Sequence, residues 1–158
     1  QRDRWVTRNN LTARGIVTTK SEIHGGPELS IYSTEGYYIE GSGCRLRRFT
    51  VRVDGFVSVG AGSEGGEMLT KPLVFSGKAL ELNLSTSAAG SVQVEIQHAD
   101  GTPIEGFTLD DCPQMFDDRL DQVVAWAQGS DLSKLAGKPI RLRFVLKDAD
   151  LYSLRFSP

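Results

Sequence analysis

Between Ala79 and Phe156, apolar residues fall at every second position in four separate runs. Leu80, Leu82 and Leu84 alternate with Glu81, Asn83 and Ser85, and Val92, Val94 and Ile96 alternate with Gln93, Glu95 and Gln97. Further on, Ile140, Leu142, Phe144 and Leu146 are set against Arg141, Arg143 and Lys147, and Tyr152, Leu154 and Phe156 against Ser153 and Arg155. A period of two over such lengths requires strands with one buried and one wet face, the pattern of antiparallel sheets. The chain is therefore expected to be all-β. Leu82, Leu84, Val94, Ile96, Leu142, Phe144, Leu154 and Phe156 are its expected core.

Turn chemistry separates the runs. Ser85 to Gly90 reads as a hairpin loop between two strands, and Asp100-Gly101 as the next turn. Ser130 to Ala136 reads as a single helical turn that Ser130 or Asp131 caps and Gly137 ends. Upstream, Gly15 to Thr19 and Glu28 to Thr34 read as short strands, and Arg45 to Asp54 as a longer one. Its alternation slips at the adjacent Arg47 and Arg48, which predicts a bulge. Asp54-Gly55 marks a turn, and Gly60 to Gly66 a flexible loop.

With 158 residues, 39% of them hydrophobic, the chain can bury one core, or one core plus an appended segment. Charge divides it. Residues 1–52 carry nine Lys or Arg against five Asp or Glu, and residues 53–158 nine against fifteen, so +4 and −6 give the net −2. The expected organisation is an N-terminal β segment over 1–52, blade-like or packed on the rest, and a sandwich over 53–158. Arg45, Arg47, Arg48 and Arg52 lack the interleaved aromatics of single-strand binders, so no nucleic-acid partner is expected. No run of about 20 apolar residues predicts a membrane span, and the start Gln1-Arg2-Asp3-Arg4-Trp5 has no signal-peptide core. A start on Gln instead of Met is expected to reflect cutting or processing.

Cys44 and Cys112 match no metal spacing, and a disulfide or two separate thiols both remain open. His24 lies in a Gly-Gly-Pro loop and His98 ends a strand, each without a visible catalytic partner. The densest acidic stretch, Asp110, Asp111, Asp117 and Asp118, is expected to be a solvated loop or a calcium site, with Asp110 and Asp111 as the candidate ligands. No other cofactor is expected.

Several turns carry a resemblance. Leu46-Arg47-Arg48-Phe49-Thr50-Val51-Arg52-Val53-Asp54-Gly55-Phe56-Val57-Ser58-Val59, then Gly65-Gly66-Glu67 and Leu69-Thr70-Lys71-Pro72-Leu73, resemble the junction between propeller and trailing sandwich in bacterial proteins of the glycoside hydrolase family 32 type. Gly129-Ser130-Asp131, Leu135-Ala136-Gly137-Lys138-Pro139 and Leu146-Lys147-Asp148-Ala149-Asp150-Leu151-Tyr152-Ser153 are similar to the C-terminal domains of the same proteins. The resemblance implies that Arg14 to Thr50 are the last blade strands of a propeller whose other blades are absent. The part after them would be an antiparallel β-sandwich of jelly-roll type. The carboxylate pair that the family uses for catalysis has no counterpart here. Glu35 alone cannot run glycoside hydrolysis, which needs an acid and a nucleophile or base.

The expected function is thus a non-catalytic carbohydrate-binding module associated with a glycoside hydrolase, partnered by a polysaccharide or oligosaccharide and placed at the cell surface or outside the cell. Sugar rings stack on exposed aromatics while amides and carboxylates take their hydroxyls. Trp126, Tyr37 and Tyr38 are the candidate platforms, and Gln93, Glu95 and Gln97 the candidate polar stripe. The alternative is a structural domain that packs against a catalytic propeller and binds no ligand of its own.

Overall fold

A computed structural model describes residues 11–22, 26–36 and 43–158. Among them there is no helix, and every paired strand is antiparallel. The chain divides into two compact units, Gln1–Phe56 and Val57–Pro158. Where a single helical turn is expected, residues 133–137 form hydrogen-bonded turns, with the Leu135 N–H donating to Leu132 O at 2.9 Å. Asp131 Oδ1 accepts from the Ser133 N–H at 2.9 Å, and Gly137 takes a positive φ of 77°.

In the first unit, β1 (Val17–Lys20), β2 (Pro27–Glu35) and β3 (Arg45–Arg52) form one sheet in that order. The β2–β3 register runs unbroken from Glu28 opposite Arg52 to Glu35 opposite Arg45, so the bulge expected at Arg47-Arg48 is absent. The two arginines are adjacent because each serves a different face of the sheet. Arg47 pairs with Glu35 at 3.0 Å. On the other face, Arg48 binds Ser30 at 2.8 Å, Thr19 at 2.9 Å and the Glu28 carboxylate, tying the three strands together. Glu35 is thereby a buried structural carboxylate. At the unit's end Asp54 has φ 57° and the Gly55 N–H reaches Arg52 O at 2.9 Å, forming the expected turn.

The second unit is built on two long strands, β6 (Ala79–His98) and β8 (Ile140–Ser157). The apolar runs read as four strands are thus two, paired with each other along their length. The hairpin expected at Ser85 to Gly90 is instead an irregularity inside β6. Thr86 lies opposite Ala149 and Ser91 opposite Lys147, so the residues between have no partner. Small polar residues serve a bulge as readily as a turn, and only the presence of β8 decides between them.

The short strands along β8 break at the same level, while a second shift of β6, against both β7 (Asp118–Val123) and β8, lies at Leu82 to Leu84. β4 (Val59–Ala61) pairs with β8 at 149–151, and β5 (Gly66–Leu69) pairs with it at 143–146. Between them the Gly65 N–H donates to Gly62 O, and Asp148 N–H donates to Gly62 O. The two short strands therefore form one interrupted edge along β8. Asp148 sits in the left-handed region with φ 43°, and β7 lines the far side of β6.

The apolar faces of both halves of this ribbon enter one core, which is consistent with a β-sandwich. Leu82, Leu84, Val94, Ile96, Leu142 and Phe144 are fully buried. Burying one such side chain stabilises by about 1.5–3 kcal/mol. Leu154 and Phe156 are only partly buried at the core's border, where Phe156 stacks on Phe75 with centroids 4.0 Å apart.

Candidate functional site

Of the three candidate platforms, Trp126 is not on the surface. Trp126 is 3% exposed, donates its indole N–H to Val94 O at 2.9 Å and meets Phe107 edge-on at 5.3 Å. A ring held there cannot stack on a sugar; it is part of the core. Tyr37, Tyr38 and His24 lie outside the described residues.

The expected wet stripe is also internal. Glu95 and Gln97 are buried and Gln93 half-buried, because the segment from 103 to 112 runs over this arm of β6. Ile104 and Phe107 pair with Ile96 through the backbone, and Gln93 Nε2 donates to Leu109 O at 3.2 Å and Cys112 O at 2.7 Å. Glu95 accepts from Gln97 Nε2 at 2.7 Å and lies 3.5 Å from Arg143. Arg143 in turn holds Glu67 with two hydrogen bonds, which push the Glu67 carboxyl below the ordinary range. Buried polar groups need such partners, and here they fasten a loop.

The aspartate stretch does not converge on one point. Asp111 Oδ2 accepts from the Thr108 N–H at 3.1 Å and its hydroxyl at 2.7 Å, and Asp117 pairs with Arg119 at 2.7 Å. A shallow recess of about 490 Å³ bordered by Glu105, Asp111 and Gln128 lies beside it. Among the described residues no group of three His, Cys, Asp or Glu side chains is placed to hold a metal. Asp110 and Asp111, the candidate calcium ligands, thus belong to no such group. Cys44 is exposed and Cys112 buried, both free thiols. Among the described residues no helix is long and apolar enough to cross a membrane.

What the fold does assemble lies at the irregularity of β6 between Thr86 and Ser91, the bend of this strand, since a bulged strand bends. Gly60 lies opposite Asp150, Asp150 opposite Ser85, and Ser85 opposite Asp118, a row across four strands. Residues directly opposite one another share a face, with Cβ atoms about 4.5–5.5 Å apart. Leu84 is buried, so its neighbour Ser85 and the whole row face away from the core. An open groove of about 360 Å³ follows this row, lined by Gly60, Ala61, Ser85, Thr86, Ser87, Asp148, Ala149 and Asp150.

Glycine makes the groove. A side chain at Gly60 would stand 2.8 Å from Asp150 Oδ1, so with glycine there the carboxylate keeps its present position without having to turn aside. Asp150 Oδ1 also accepts from the Ser58 hydroxyl at 2.7 Å, which fixes the side chain's direction. The site thus offers hydroxyls, two carboxylates and open backbone on rigid strands, a donor and acceptor set suited to a polyhydroxylated ligand. Sequence reading missed it, since Ser85 to Ser87 carry the composition of a turn and Asp148 and Asp150 meet them only through pairing. No protein family, curated protein or solved structure matches the chain.

Proposed function

We propose that the second unit is a carbohydrate-binding module of a glycoside hydrolase, and that the groove at its bend is the binding site. The observation that carries this reading is the outward row Gly60–Asp150–Ser85–Asp118 with the open groove along it. A shallow groove covers little of a glycan, so the expected affinity is micromolar to millimolar, about −4 to −8 kcal/mol. In this reading the module binds without hydrolysing, and Asp150, which accepts from the Ser58 hydroxyl, serves as a hydrogen-bond acceptor for the sugar. In the same reading the sandwich is of jelly-roll type, supported by the long antiparallel β6–β8 ribbon whose two halves share one core.

Titration against fructans, xylans, β-glucans and cellulose tests the reading. Saturable binding without release of reducing sugar supports it, and a blank panel overturns it. One observation favours the structural alternative: Val57, Val59, Leu69 and Val74, along the β4–β5 side, are 77%, 45%, 47% and 63% exposed. Such residues suit packing against a propeller domain. A blank panel together with higher solubility on replacing Val57 and Val74 by serine would select that alternative.

A further inference from the structure

Phe116 is 70% exposed and is the one exposed aromatic side chain among the described residues of the second unit. Its position is fixed on both sides. Met115 bridges to Val92 and is buried, and the Thr86 N–H donates to Asp117 O at 3.0 Å. Phe116 therefore lies alongside the bulge of β6, on the flank of Ser85 and Ser87 away from Asp150. Neighbours on an extended chain point to opposite sides, so burying Met115 turns Phe116 outward. That is the side on which Asp118, two residues on, and Ser85 lie opposite one another.

We propose that Phe116 is the stacking platform of the bend site, and that its ligand is a neutral glycan with an exposed apolar pyranose face. The inference rests on the groove being a carbohydrate site. An exposed ring takes the C–H face of a sugar, while Ser85, Ser87 and Asp150 take its hydroxyls. The sign of charge selects among glycans. Residues 57–158 carry nine Lys or Arg against fourteen Asp or Glu, a net of −5, and Asp118, Asp148 and Asp150 surround the site. This field disfavours a polyuronate.

The test is calorimetric titration of wild type, Phe116→Ala, Phe116→Trp and Asp150→Asn with soluble β-glucan, xylan oligosaccharides and polygalacturonate. Thermal melting would accompany it to confirm that each variant folds. Phe116→Ala is expected to bind the neutral glycan about tenfold more weakly, equivalent to about 1.4 kcal/mol, with Phe116→Trp retaining affinity and polygalacturonate not binding. Wild-type affinity in Phe116→Ala, alongside loss in Asp150→Asn, would leave the groove site standing and overturn the platform. Polygalacturonate binding as tightly as the neutral glycans would overturn the ligand class. No binding by wild type would overturn the groove reading, and this inference with it.

Discussion

Gly90 of β6 lies directly against the backbone of Asp148 in β8, the one strand residue of the second unit besides glycine with a positive φ. A Cβ on Gly90 would enter the shell of the Asp148 carbonyl oxygen and stand 2.8 Å from that of Lys147. Neither obstacle is a flexible side chain, so the backbone itself would have to move. Gly90→Ala is expected to destabilise the second unit by about 1–3 kcal/mol, as overpacking does. Urea denaturation checks it, and a midpoint equal to wild type would show that the two strands are not so close.

Trp126 has a structural role. Removing its ring empties core volume and strands Val94 O, so Trp126→Ala is expected to cost about 3–5 kcal/mol. Leu142→Ala, at a fully buried position, falls in the range of about 2–5 kcal/mol. A destabilised but folded Trp126 variant should keep wild-type glycan affinity at a temperature below its melting point. Loss of affinity without loss of stability would return the ring to the surface.

Acid should weaken the fold through two carboxylates on its outer face. The Glu67 carboxyl is lowered first by its hydrogen bond from Arg143, and that of Glu81 by hydrogen bonds first with Ser157 and then with Arg155. A carboxyl with a folded-state pKa below its unfolded value stabilises above the unfolded pKa. That contribution disappears as pH falls through the folded one. Stability should therefore decline as pH falls below the ordinary carboxyl value of 4.5, and less steeply in Glu67→Gln and Glu81→Gln. Denaturation midpoints across this range provide the check, and parallel curves for wild type and variants would refute the assignment.

The two thiols should differ in reactivity. Cys44 is exposed, whereas Cys112 is buried, with its thiol pushed up by burial and its sulfur accepting from the Val94 N–H. Thiolate is the reactive form, so an aromatic disulfide reagent should label Cys44 quickly and Cys112 only on unfolding. Two fast phases in native protein would contradict the burial of Cys112.

Period-two alternation was enough to read the fold class and six of the buried positions, because strand faces are set locally by the backbone. It could not show that Leu84 and Val92 belong to one strand. The residues between them, Ser85 to Gly90, suit a turn and a bulge equally, and the choice is made by β8 some sixty residues away in sequence. Likewise the adjacency of Arg47 and Arg48 signified two faces, each with its own glutamate, and not a slip of register. Gln93, Glu95 and Gln97 look wet from their polarity alone. Their burial depends on the backbone of 103 to 112, whose hydrogen bonds no side-chain pattern announces. The groove was hidden for the same reason, since Ser85 and Asp150 become neighbours only through the β6–β8 register.

The central claim is that the bend holds a glycan, and amide chemical-shift mapping tests it residue by residue. On titrating isotope-labelled protein with a neutral β-linked oligosaccharide, shifts should concentrate at Gly60, Ala61, Ser85 to Ser87, Phe116 and Asp148 to Asp150. Shifts confined to the β4–β5 stretch around Val59 and Leu69, or none at saturating sugar, would contradict it.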